Sequence, residues 1–204
     1  MAFVACVSLQ AVADNDFAVS PDQAVAGTSQ VKWSQHWWQW AGSFNANESP
    51  VADRTGADCW RKQSGPVWFL AGTYGTQRTI RTCRVPRDKY LFFPLINYVV
   101  MPHRQPKSGC SNVTQTAKAM TDNPSLLLLD LDGQRLDGLD KYRQATDGCF
   151  DMGELAEPRY RVFPSAANGY YVMLKPLSPG RHELNFGGAL PNMLQAVTYT
   201  LIVE

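Results

Sequence analysis

The run VWFLA at residues 67–71 limits the fold more than any other stretch. In an extended chain Trp68 and Leu70 point one way and Val67, Phe69 and Ala71 the other, so a strand here has to be covered on both faces. Gly65-Pro66 and Gly72 fence the run, which is too short for a typical helix. Tyr74-Gly75-Thr76 predicts a tight turn that makes a hairpin of this run and residues 79–85, where Ile80, Thr82 and Arg84 alternate with Arg81, Cys83 and Val85. Pro86 ends that strand because it has no N–H for a ladder. Residues 90–100 form the next, with Leu91, Phe93 and Leu95 on one face and Pro94 demanding a bulge or an edge position. Residues 63–97 are therefore expected to supply the central strands of a sandwich. Asn97 is the one strongly polar side chain in the apolar part of the last strand. It either satisfies the bulge backbone or faces a ligand.

Around this centre the chain alternates strands with turns. Ser29 caps a helix over residues 30–43, where Trp33, Trp37, Trp40, Ala41 and Phe44 fall on one face and Trp38 falls off it. A short second helix is expected over 113–120. Residues 126–131 read as a strand turning at Asp132-Gly133. Further strands are expected at 160–163, 170–174, 182–186 and 197–203, punctuated by Asn168-Gly169, Ser178-Pro179-Gly180 and Gly187-Gly188. The expected fold is mainly β: one antiparallel β-sandwich or jelly-roll-like domain over residues 29–204, with the Trp-rich N-terminal helix and the short second helix. Residues 14–28 read as a flexible lead-in.

The N-terminus bears on compartment. Residues 2–13 are mostly apolar and end in Ala11-Val12-Ala13, an A-x-A cleavage pattern, just before Asp14-Asn15-Asp16. Residues 1–13 read as a signal-peptide remnant, which places the mature protein in the periplasm or outside the cell. Cys6 belongs to that remnant, leaving Cys59, Cys83, Cys110 and Cys149. In an exported chain these predict two disulfides, paired in sequence order as Cys59–Cys83 and Cys110–Cys149, each contributing roughly 3–4 kcal/mol by restricting the unfolded chain. The net charge of +1, with no basic run, argues against nucleic acid as a partner. No stretch of about 20 apolar residues predicts a membrane span.

The segments WWQWAGSF (37–44), QSGPVWFLAGTYG (63–75), RTCRVPRDKYLFFPLIN (81–97) and YYVMLKPLSPGRHELNFGG (170–188) resemble a family of exported bacterial proteins of uncharacterised function. The resemblance implies export and a shared architecture, and it implies no activity.

Chemistry is sparse. The chain has no G-x-S-x-G elbow, no P-loop and no dinucleotide fingerprint. Glu48, Asp53 and Asp58 lack calcium-loop spacing. No cofactor is implied. Two readings of function remain. In the first, the chain is a binding module for a carbohydrate or an apolar small molecule. All six tryptophans lie between Trp33 and Trp68, and Trp38 and Trp60 have no obvious core role. The expected ligand-facing residues are Trp38, His36, Asn97 and Trp60, since an indole face stacks on sugars and apolar chains while an amide or imidazole orients a hydroxyl. In the second, the chain is an extracellular hydrolase or metal-dependent enzyme, with His36, His103 and His182 converging on one ion. Non-reducing peptide mapping of the purified protein is expected to recover only Cys59–Cys83 and Cys110–Cys149 peptides; a Cys59–Cys110 or Cys59–Cys149 peptide overturns the pairing.

Overall fold

A computed structural model describes residues 17–45, 47–74, 77–102 and 109–204. The expected signal-peptide remnant with Cys6, the Gly75-Thr76 part of the expected turn, and His103 lie outside them. The fold is a mainly β sandwich of a four-stranded and a five-stranded sheet, with two α-helices. The strands are β1 (Val67–Phe69), β2 (Thr79–Val85), β3 (Tyr90–Val100), β4 (Leu126–Leu131), β5 (Gln134–Arg135), β6 (Arg143–Ala145), β7 (Ala166–Leu174), β8 (Gly180–Leu190) and β9 (Met193–Val203). One sheet runs β1-β3-β7-β6 and the other β2-β9-β8-β4-β5. Most pairings are antiparallel, but β1 runs parallel to β3 and β2 parallel to β9.

The two-faced character of residues 67–71 is real, and its cause differs from a central position. β1 is an edge strand. Trp68 and Leu70 enter the core between the sheets, while Val67, Phe69 and Ala71 pack beneath helix α1 (Gln30–Gly42) on the outer face. The helix supplies the second cover. β2 is also an edge strand, and it belongs to the opposite sheet, so residues 67–85 form no hairpin: the chain crosses between layers there. The free edge of β1 is closed by a side chain. Gln63 Oε1 accepts from Phe69 N at 2.9 Å, and its Nε2 donates to Phe69 O at 2.8 Å, as a neighbouring strand would.

Helix α1 starts at the expected cap, where Ser29 Oγ accepts from Lys32 N at 3.2 Å. Its stripe is core, and each buried indole donates to a carbonyl: Trp33 to Val25, Trp37 to Leu70 and Trp40 to Arg61. The lead-in, expected to be loose, is fastened from Phe17 onward. Val19 N donates to Met173 O at 2.8 Å, Lys175 N donates to Phe17 O at 2.9 Å, and Val19 and Val25 are buried in the helix layer. Helix α2 (Cys110–Met120) buries Val113 and Ala117 against Ala166.

Both expected disulfides are present, Cys59–Cys83 and Cys110–Cys149, with Cα atoms 5.9 and 5.7 Å apart. Asp132-Gly133 is the expected tight turn, with positive φ at both residues (53° and 81°). Three expectations fail. Residues 160–163 form no strand; Pro158 and Pro164 bracket them, and Tyr160 and Phe163 are exposed. Asn168-Gly169 and Gly187-Gly188 lie inside β7 and β8 rather than in turns. The second pair is needed for close approach, since a Cβ on Gly188 would sit 2.9 Å from Ile96 Cγ2 in the facing sheet.

Arg81 is the unexpected core residue, only 1% exposed. Its guanidinium donates to four backbone carbonyls: Asp53 at 2.7 Å, Ala71 at 2.7 Å, Gly72 at 2.8 Å and Val51 at 3.1 Å. It also donates to Tyr199 Oη at 3.2 Å. Carbonyl dipoles solvate the charge in place of water. Arg81→Leu strands these carbonyls and is expected to cost on the order of 3 kcal/mol in urea unfolding, with Arg81→Lys recovering part of it. A loss below about 1 kcal/mol means that Arg81 does not clasp the two loops.

Candidate functional site

The site begins with Pro94. A proline inside an interior strand withholds one ladder donor, and the β3–β7 register shifts between Pro94 and Ile96. Leu95 is the extra residue, and Leu95 and Ile96 both enter the inter-sheet core. Simple alternation from Leu91 and Phe93 would have pointed Asn97 into that core. The bulge turns it to the outer face, where α1 lies. Opposite stands Gly169, whose absent side chain makes the room: a Cβ there would lie 2.5 Å from Asn97 Cβ.

The carbonyls left exposed by the bulge are satisfied from the other sheet. Gln195 on β9 donates through Nε2 to Pro94 O at 2.7 Å and Leu95 O at 2.9 Å, while its Oε1 accepts from Thr73 N at 3.1 Å. The backbone-satisfying role considered for Asn97 thus belongs to Gln195. Asn97 is free for something else. It is 9% exposed, and its Nδ2 donates to Tyr171 Oη at 3.0 Å. The Tyr171 hydroxyl also accepts from Trp38 Nε1 at 2.8 Å. Burial holds the proton on Tyr171 far above the usual phenol range, against the opposing pull of the bonds from Asn97 and Trp38. The phenol therefore stays neutral and ties a helix residue to a strand residue. Its ring stacks on Phe92 with centroids 5.5 Å apart.

Trp38 and Asn97 border one cleft of about 390 Å³. Its walls come from α1 (Trp37, Trp38), the segment after β1 (Thr73, Tyr74), the end of β3 (Asn97, Tyr98, Val99) with Met101 just beyond it, Met152, Asn192 in the β8–β9 turn and the start of β9 (Met193, Leu194). Among the described residues no wall carries a charge. A volume and lining of this kind suit a small neutral molecule.

The other expected site residues stand elsewhere. His36 packs edge-on against Trp33 at 5.2 Å, away from the cleft. Trp60 is 65% exposed and lies beside Cys59, Thr82 and Arg84 on a different surface. His182 is on the core side of the β8 pleat, as its alternation with Leu184 and Phe186 predicts, but at the rim. There its Nδ1 lies 2.6 Å from Asp132 Oδ2 and its Nε2 2.8 Å from Ser178 O. Among the described residues no group of three or more His, Cys, Asp or Glu side chains is placed to hold a metal ion. Asp53, one of the acids considered for calcium, instead folds its own loop, accepting from Thr55 N at 2.8 Å and Asp58 N at 3.0 Å. Tyr171, Gln195 and the three cleft methionines were not singled out by sequence; an alternating strand marks Tyr171 as outward, but nothing marks it as a hub.

No family model, curated protein or solved structure matches the chain. Among the described residues no helix is long and apolar enough to cross a membrane.

The two described histidines titrate in opposite directions. Burial, then the Lys32 ammonium, holds His36 below the ordinary imidazole value, with Glu154 opposing. Burial also disfavours charged His182, but the Asp132 hydrogen bond, the Ser178 carbonyl and the Asp132 charge outweigh it and raise its pKa. A raised folded-state value means that the pair stabilises the fold in full below the unfolded pKa of about 6.5 and loses that contribution as pH rises through the folded value. NMR titration is expected to place the His182 midpoint above that of His36, with Asp132→Asn moving His182 down. Coincident midpoints contradict the pairing.

Proposed function

We propose that this chain is an exported, disulfide-stapled β-sandwich that binds a small neutral molecule, a carbohydrate or an apolar ligand, in the cleft bordered by Trp38 and Asn97. The observation that carries the reading is the placement of Asn97. A bulge, a glycine and a buried phenol combine to hold a nine-tenths-buried amide at the wall of an aromatic cleft whose described lining carries no charge. A structural amide needs none of this, because Gln195 already satisfies the bulge. Two disulfides and the A-x-A pattern at residues 11–13 support export to an oxidising compartment. Membership of the exported bacterial family resembled by residues 37–44, 63–75, 81–97 and 170–188 is part of the same proposal.

Leu194 tests the site without touching the core. It is 42% exposed on the cleft wall, so Leu194→Arg is expected to change stability by no more than about 0.5 kcal/mol. The same change puts a charge among described lining residues that carry none. Binding of any hit from a panel of soluble oligosaccharides and short-chain lipids, measured by calorimetry, is expected to weaken at least about tenfold. A hit whose affinity is indifferent to Leu194→Arg removes the cleft as its site.

A further inference from the structure

We infer that the ligand is an uncharged, mainly apolar molecule with a hydrogen-bond acceptor, of the class of a fatty ester, and that Asn97 is the residue that reads this acceptor. The inference rests on the cleft being a ligand site and adds the class of ligand. Three features of the cleft support it.

The first is charge. A carboxylate or phosphate entering from water would lose its hydration, and no described residue of the lining offers a compensating cation. The second is the lining. A sugar ring needs a partner for each buried hydroxyl, but the Gln195 amide is consumed by two carbonyls and the Thr73 N–H. Beside the Asn192 amide and the rings of Tyr74 and Tyr98, the wall carries Met101, Met152, Met193 and Leu194. Unbranched, polarisable thioethers adapt to flexible chains of varied shape rather than to a fixed ring.

The third feature is proton order in the buried network. With Trp38 Nε1 and Asn97 Nδ2 both donating to Tyr171 Oη, the buried phenol proton has no acceptor, while the Asn97 Oδ1 is left to the cleft. A carboxamide has the same outline after a half-turn of its terminal group. In that orientation Trp38 donates to Tyr171, Tyr171 donates to Asn97 Oδ1, and the phenol proton has its acceptor. The Asn97 NH2 then points to the cleft as a donor, and its natural complement is a carbonyl or ether oxygen. Burial keeps Tyr171 protonated, so this order holds across the physiological range. Tyr171 is a positioning residue in this scheme, and Asn97 is the contact.

Trp37 and Trp38 border the cleft, so a bromine on the ligand reports occupancy by quenching tryptophan fluorescence. The probes are methyl 11-bromoundecanoate, the free acid at pH 8, 1-bromoundecane and cellobiose, each titrated into the full chain with its disulfides intact. Saturable quenching by the ester is expected, with the acid at least tenfold weaker and the bromoalkane at least fivefold weaker. Asn97→Leu is expected to abolish the preference for ester over bromoalkane, and the near-isosteric Asn97→Asp, which removes the donor, to do the same. Tyr171→Phe should shrink the preference without removing bromoalkane binding. Equal binding of ester and bromoalkane to the unaltered protein overturns the role of Asn97, whether or not the variants fold. Binding of the free acid as tight as the ester overturns the requirement for neutrality. Cellobiose binding that Leu194→Arg abolishes, without ester binding, overturns the ligand class and leaves the cleft as a site. Quenching by the ester that survives Leu194→Arg overturns the cleft itself.

Discussion

The Arg81 guanidinium sits where three separate pieces of chain meet: the loop at 51–53, the exit from β1 at 71–72, and Tyr199 on the neighbouring strand β9. A carbonyl buried without a donor is costly, and loops of this kind normally run at the surface for that reason. One planar cation with several donors lets four such carbonyls go under at once. The same clasp fixes Gly72 and thereby Thr73, whose N–H engages Gln195, whose amide in turn completes the β3 bulge. The geometry at Asn97 therefore depends on a side chain in the other sheet that never touches it.

The bulge converts packing into chemistry. Without the extra residue at Leu95, Asn97 would face a core of Phe, Leu and Val, where an unpaired amide is costly. With it, the same amide meets Tyr171 and the Trp38 indole on the helix side. Helix α1 has two roles at once: Trp33, Trp37 and Trp40 bury its stripe, and Trp38, just off the stripe, joins the polar network at the margin.

How much of this was legible in the sequence follows from how local each cause is. The Ser29 cap, the Asp132-Gly133 turn and the bulge at Pro94 are encoded by adjacent residues, and all three were readable. The double cover of residues 67–71 was readable as a requirement, but not the helix that meets it, because alternation says that a face is buried and not by what. The hairpin at 67–85 was misread because two strands joined by a turn usually pair, and here they part to different sheets. Gly169 and Gly188 resemble turn signals, yet each answers a neighbour across the fold that has no local mark. Trp38 and Asn97 do lie together, both bonded to the Tyr171 hydroxyl, but not because Trp38 lacks a partner. Trp38 does have a partner, the Tyr171 hydroxyl, and Trp60 is the tryptophan left without cover. His36 and Trp60 failed as companions because nearness in sequence to an aromatic cluster does not fix which surface a side chain joins.

The carboxamide of Gln63 has a consequence for how copies of this molecule meet. An edge strand with free backbone groups is a template onto which a second copy can add, and repetition of that step makes fibres. At β1 the outward N–H and C=O of Phe69 are already taken by one glutamine, so a second copy finds that pair of ladder groups on this border occupied. In a strand of three residues that is short, apolar on both faces and at the margin of its sheet, one occupied pair shortens the template on which self-association could begin.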